Sequence, residues 1–484
     1  MSQHGLKHHG YYWSRPWVVF LAVLLAIVWI ADSYVSYQEA GVVPPGDDPA
    51  YYYDERGVIE GLHVSMLIAE QGESVTLLER LVVGAETPDQ VRQRAIRYLE
   101  HARARSMLGK DGLLTLACVY WDAGEAAKAR SCLEDNVFYA GFSGDADTLD
   151  LLLNGEKLRD ATVDALEYRV KNDSRDWVAC FLLEKTLADL TAAKAERLKA
   201  IVNERRQGLL IANAKMSIVT WLLVLAGLVC LWKLLRCGQM LVPAQGVAVS
   251  RLPSLWPLAV VIIAFTAGEF LADEVHEFLW NCVGESYSEM DYWIYSLSID
   301  ALWRILGVIV LVTVFYRRPS YAYRSLMKPV PKLMHWVLAA LAVTWLIDEV
   351  FYLIPAGWFP RDTTIGLQWE DYGWGGLVLG LVSGVILAPI CEEIVFRGFL
   401  YNAIKNRLGT HAGVWLSAIV FGAIHFYGVQ DLIAVGMFGV VMGYLYHLTG
   451  SLWPCILCHA LFNLIITVWD WTLYSSPYEF WSIS

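Results

Sequence analysis

Three stretches of this 484-residue chain set groups capable of acid–base chemistry inside apolar sequence. The first is Cys391-Glu392-Glu393-Ile394-Val395-Phe396-Arg397, two adjacent carboxylates near the end of a long apolar run. Glu393 and Arg397 are four residues apart and can pair along a helix. Glu392 then projects about 100° away and must find a different partner. The second stretch is Phe421-Gly422-Ala423-Ile424-His425, and the third places Asn463 one turn after His459, on the same helix face. His425 follows Glu392 by 33 residues and His459 follows His425 by 34, so the groups lie on separate segments that could converge in a bundle.

A carboxylate, two imidazoles and a carboxamide form a hydrolytic set. Glu392 can take a proton from water and His425 can hold or share it, while His459 and Asn463 can donate to an oxyanion. The same groups offer zinc the ligands Glu392, His425 and His459, with a position left for water. A third reading makes them polar glue between membrane helices. Cys455-Ile456-Leu457-Cys458-His459 also matches the c-type haem attachment pattern. That segment begins at the inner end of an apolar helix, whereas haem is attached on the outer side. A zinc site built from Cys391, Cys455 and Cys458 is the other use of those thiols. Elsewhere Asp300 and Arg304 are one turn apart and can neutralise each other, and Glu269, Asp273 and His276 share a face that reads as a wet helix end or a metal site.

Bringing these residues together requires a membrane. The chain is 56% hydrophobic and only 18% charged, with 21 Trp and 25 Tyr, which excludes an ordinary soluble enzyme and a disordered chain. Apolar runs at about 17–31, 216–235, 255–272, 294–316, 334–354, 374–396, 412–427, 432–449 and 452–473 predict nine spans. Basic clusters (Lys233, Arg236, Arg251; Arg317, Arg318, Arg324, Lys328, Lys332; Arg397, Lys405, Arg407) alternate with acidic loops. The positive-inside rule therefore predicts a cytoplasmic N-terminus, with the C-terminus outside. The run at 17–31 reads as a span or anchor, the alternative being a cleaved signal; either exports the polar block that comes after it.

Most of the net charge of -12 belongs to that exported block: residues 38–210 hold 21 Lys and Arg against 30 Asp and Glu. No basic stripe suggests nucleic acid. Helical spacing runs through the block, and Leu116, Ala117, Tyr120, Gly124, Ala129 and Leu133 fit one tetratricopeptide-like repeat, with Ala95, Leu99 and Ala102 about a repeat upstream. Nine scattered Cys give no disulfide framework. The predicted fold is thus all-α: a polytopic membrane bundle bearing an exported helical domain. Its parts are 1–37 (cytoplasmic N-terminus and first span), 38–212 (exported acidic domain), 213–254 (second span and cytoplasmic loop) and 255–484 (membrane body).

Glu-Glu-x-x-x-Arg, Phe-x-x-x-His and His-x-x-x-Asn, in this order on successive apolar segments, resemble the CAAX-protease and bacteriocin-processing (CPBP) family of intramembrane endopeptidases. The likeness covers about 374–473, is compatible with 255–354, and leaves out the exported block. It implies that Glu392 activates water with help from His425, that His459 and Asn463 stabilise the oxyanion, and that Glu393, Arg397 and Phe421 are structural or orient the substrate. It favours a metal-free glutamic mechanism over a zinc one, Asn463 being a poor zinc ligand. The substrate implied is a membrane-associated protein or peptide, in the cell's inner membrane, with the exported block free to recruit a protein partner. The alternatives are an inactive or immunity-like scaffold on the same fold, and a transporter. Convergence carries one demand: from a start at His411, His425 is some 14 residues deep, so its segment must start late, tilt or be re-entrant.

Overall fold

The computed structural model describes residues 55–70, 87–104, 108–136, 144–172, 176–238, 327–352, 373–423 and 429–474, together with Ala301, Leu302, Arg304, Ile305, Val308, Ile309 and His425. The expected spans at 17–31 and 255–272, most of that at 294–316, and Asp300, Glu269, Asp273 and His276 lie outside the described residues. All regular structure among the described residues is helical.

The described residues of the acidic block form α1 (Glu55–Glu70), α2 (Pro88–Ala104), α3 (Lys110–Asp122), α4 (Ala126–Asn136), α5 (Gly144–Leu153), α6 (Asp160–Asn172) and α7 (Trp177–Thr186), followed by the first part of α8 (Ala192–Arg236). Local chemistry sets several of their ends. Thr87 and Gln90 form a reciprocal cap on α2: the Gln90 amide donates to Thr87 Oγ1, and the Thr87 amide to Gln90 Oε1 at 3.1 Å. Asp176 caps α7 by accepting from the Ala179 amide at 2.8 Å. Between α3 and α4 the chain reverses at Gly124, whose φ of +80° is open to glycine and costly for other residues.

The periodic residues read from the sequence face inward. Ala95, Leu99 and Ala102 of α2, Leu116, Ala117 and Tyr120 of α3, and Ala129 and Leu133 of α4 are all buried. Trp177 is 1% exposed, stacks on Phe181 with centroids 5.1 Å apart, and donates its indole N–H to Glu70 at 2.8 Å. Arg206 of α8 pairs with both Glu70 and Glu184. Burial raises the Glu70 carboxyl above its usual range, an effect that Arg206 and the Trp177 donor oppose. Cys118, Cys132 and Cys180 are unbridged thiols in this core, and burial pushes the Cys118 and Cys180 thiols up.

Among the described residues, five helices are long and apolar enough to cross a bilayer: Ala192–Arg236, Leu333–Phe351, Leu377–Leu408, Leu432–Thr449 and Trp453–Leu473. Leu222, Leu225, Val229, Trp232 and Leu235 of α8 are exposed, as are Trp415, Leu416 and Ile419 further on. Apolar faces left outward in this way suit lipid, and the protein is an integral membrane protein. α8 runs unbroken through 45 residues, about 68 Å, changing from polar to apolar sequence along its length.

The membrane body contains the end of α8 from Leu223, α9 (Leu333–Tyr352) and the later helices as far as Leu464. Where 374–396 was expected to end a span, the helix continues to Leu408. It alternates α10 (Gly373–Gly380), a π segment Leu381–Leu387, α11 (Ala388–Glu393), a second π segment Ile394–Tyr401, and α12 (Asn402–Leu408). Glu392 and Glu393 therefore sit in mid-helix rather than at its inner end. Arg397, read from the sequence as part of a loop cluster, is 1% exposed within that helix.

A turn at Gly409 (φ +88°) leads into α13 (Thr410–Ala423), followed by α14 (Val429–Thr449) and α15 (Trp453–Tyr474). α13 and α14 pack through glycines, as membrane helices do when backbones must approach closely. A Cβ on Gly422 would lie 2.7 Å from the carbonyl oxygen of Leu432. Gly422→Ala is therefore expected to destabilise the fold by about 1–3 kcal/mol, read as a lower midpoint in detergent unfolding; an unchanged midpoint would mean that the two backbones can part freely.

Candidate active site

Three helices and one further arginine converge on the paired carboxylates. α11 presents Glu392 and Glu393, α15 presents His459 and Asn463, and His425 lies just past the end of α13 with its amide bonded to Gly422 O at 3.3 Å. α13 has 14 residues and rises about 21 Å, short of a bilayer core of about 30 Å. Glu392 lies 17 residues before Gly409 and His425 16 residues after it. Nearly equal distances from one turn bring Glu392 and His425 close to level on two antiparallel helices.

Glu393 is fully buried and doubly held. Arg397 Nη1 donates to its Oε1 at 3.0 Å, and His459 Nδ1 lies 3.0 Å from the same oxygen. The expected Glu393–Arg397 pair thus exists, and it includes an imidazole as well. Arg397 also donates to Gly439 O at 3.1 Å, and its guanidinium lies over the Phe421 ring with 4.6 Å to the centroid. Phe421 is the platform of the site. Its ring centroid is 5.0 Å from that of Phe396, 4.9 Å from that of His425 and 6.1 Å from that of His459. Phe438 of α14 closes the other side of His459, at 4.8 Å.

Glu392 finds the separate partner that its projection demanded. Arg304 Nη1 donates to Glu392 Oε1 at 3.0 Å. The sequence offered Asp300 as the neighbour of Arg304; an ion pair 88 residues away in sequence is invisible to helical spacing. The second oxygen of Glu392, Oε2, is buried without a hydrogen bond among the described residues and stands 3.9 Å from His459 Nε2. His425 is within electrostatic reach of Glu392, His459 and Arg304, and its Nδ1 lies 2.7 Å from Phe421 O. With Nδ1–H donating to that carbonyl, Nε2 is the acceptor nitrogen of the neutral ring.

Asn463 has a defined role in the fold. Pro389 has no N–H, and the Ala388 amide is spent on Ser383 O, so the Gly384 carbonyl can receive neither the α nor the π ladder bond. Asn463 Nδ2 donates to Gly384 O at 2.7 Å, using one N–H and leaving the other. Sequence reasoning missed Arg304 as a partner of Glu392, and it missed Phe438, Gly439 and the π segments. Pro389 inside the apolar run was the signal available for the first π segment.

Among the described residues, no three His, Cys, Asp or Glu side chains are gathered closely enough to hold a metal ion. Cys455 instead approaches Met442 O at 3.5 Å.

Residues 374–465 match the model of the type II CAAX prenyl endopeptidase Rce1-like family. Over 90 residues the chain is 26% identical to YdiL of Bacillus subtilis (strain 168), named as a proposed membrane peptidase; the match covers 19% of this chain and 36% of that one. An uncharacterized protein of Mycoplasma capricolum is 31% identical over 97 residues, 19% of this chain and 27% of the relative. An uncharacterized 24.3 kDa protein of Escherichia coli is 28% identical over 112 residues, 21% and 51% of the two chains. The chain thus spans about a quarter to a half of the length of these relatives. No solved structure gives a significant match.

Proposed function

We propose that this chain, whose residues 374–465 are those of an Rce1-like membrane protease of the CPBP family, hydrolyses a peptide bond of a membrane-associated protein or peptide. The carrying observation is Glu392: a buried carboxylate in mid-helix with one oxygen held by Arg304 and the other unbonded among the described residues, facing an imidazole.

In this reading a water beside Glu392 Oε2 loses its proton to that carboxylate and attacks the scissile carbonyl. His425, through Nε2, shares or relays the proton. His459 is oriented by Glu393, with Nδ1–H on the carboxylate and Nε2 toward Glu392. The proton that Glu392 takes from the water passes to His459 Nε2, which donates to the oxyanion and then delivers that proton to the leaving amine. Asn463 contributes its second N–H to the oxyanion, its carboxamide already fixed by Gly384. Fixed donors of this kind cost no reorganisation during the reaction. Every step uses side chains of this chain.

The site belongs, in this reading, to a protein of the inner membrane with its N-terminus in the cytoplasm. The acidic helical block, tetratricopeptide-like in its α3–α4 turn, lies outside, where it recruits a substrate or partner protein. Comparing the membrane proteome, with new terminal peptides mapped, between wild type and Glu392→Gln tests the function. Peptides present only with wild type identify the substrate; identical sets would favour a scaffold.

A further inference from the structure

The second π segment, Ile394–Tyr401, begins directly after Glu393 and contains Arg397. A π turn carries more residues per turn than an α turn, and it persists only where its backbone groups find partners. The Asn402 amide marks where the ladder breaks. In an α ladder it would bond Gly398 O, and in a π ladder Arg397 O, but it bonds Phe399 O, three residues back. The side chain of the same residue serves the carbonyls that its backbone abandons. Asn402 Nδ2 donates to Arg397 O and to Gly398 O, both at 2.9 Å, and lies 3.2 Å from Tyr446 Oη. Asn402 is 5% exposed, so water does not offer an easy substitute.

From these contacts we infer that Asn402 is a positioning residue, whose carboxamide locks the π turn setting the Glu393–His459 pair. Its kinetic consequence rests on the peptidase function proposed for the site. The connection runs through short contacts. Asn402 fixes the backbone of Arg397, Arg397 holds Glu393 Oε1, and Glu393 holds His459 Nδ1. His459 Nε2 in turn faces Glu392. Without the carboxamide, two buried carbonyls each lose a hydrogen bond and the turn relaxes toward α geometry. Loss of one residue from the turn would rotate the two glutamates by about 100° relative to α12. Asn463 holds the first π segment in the same manner, so a carboxamide stands at each end of the helical stretch bearing the two carboxylates.

Asn402→Leu keeps approximate volume and removes both donors. Asn402→Ser keeps one, since a helical serine hydroxyl can donate to the carbonyl four residues back, here Gly398 O. With a quenched fluorogenic peptide and purified full-length protein, Asn402→Leu is expected to lower kcat about 10- to 100-fold, with KM within about twofold. Asn402→Ser is expected to stay within about fivefold of wild type. In 15N-histidine spectra of the same samples, the His459 resonances, assigned by loss in His459→Gln, should shift in Asn402→Leu and hold in Asn402→Ser. Unchanged kcat, or a loss confined to KM, in Asn402→Leu overturns the inference; if that variant does not fold, a wild-type kcat combined with shifted His459 resonances in Asn402→Ser does so. If wild type cleaves no better than Glu392→Gln, the peptidase reading falls, and the His459 resonances still decide the role of Asn402.

Discussion

Glu392→Gln is expected to abolish peptide hydrolysis, lowering kcat at least about 1,000-fold, while the protein remains folded and inserted. Glutamine keeps the shape of the side chain and one oxygen able to accept from Arg304, so the contact at 3.0 Å can survive. What disappears is the basic oxygen facing His459 Nε2 at 3.9 Å. The adjacent carboxylate, Glu393, has its Oε1 engaged by both Arg397 and His459 Nδ1, and it is Glu392 that stands opposite His459 Nε2. Initial rates on a fluorogenic peptide, beside the unfolding midpoint in detergent, separate chemistry from stability. Residual activity within tenfold of wild type would remove Glu392 from the role of base.

The second large effect falls on stability. Arg397→Met should destabilise the membrane body by about 3–5 kcal/mol, because it leaves Glu393 charged and buried without its cation. Glu393 and Arg397 are 0% and 1% exposed, and the substitution also removes a donor to Gly439 O and the cation over Phe421. Adding Glu393→Gln to Arg397→Met removes the stranded charge and should recover part of the loss. Denaturant titration of both variants tests this. A single variant as stable as wild type would mean that the Glu393–Arg397 pair adds nothing net to stability.

Helical spacing made much of this site legible. Glu393 and Arg397 pair as neighbours four apart must, and His459 and Asn463 share a helix face as residues one turn apart do. Spacing fails wherever a contact joins distant segments or the helix leaves its ordinary period. Sequence pairs Arg304 with Asp300 because it displays only local neighbours. It ends the glutamate helix too early because Arg397 looks like a solvated loop charge when its burial is unknown. Asn402 carries no signal there, since a lone amide in an apolar run has no meaning until the carbonyls it serves are seen.

By itself the sequence determined that this is an all-helical membrane protein with a separate acidic helical block, and which residue types its chemistry can use. Composition, run length and periodicity fix those features, since each reflects the cost of placing backbone and charge in lipid or water. Only the tertiary structure decided how the groups are used: Glu392 against Arg304, Glu393 between Arg397 and His459, and the carboxamides of Asn402 and Asn463 on the two π segments. Those pairings depend on helix register and on where a proline or a broken ladder leaves a carbonyl without a donor, and such quantities exist only once the helices are packed.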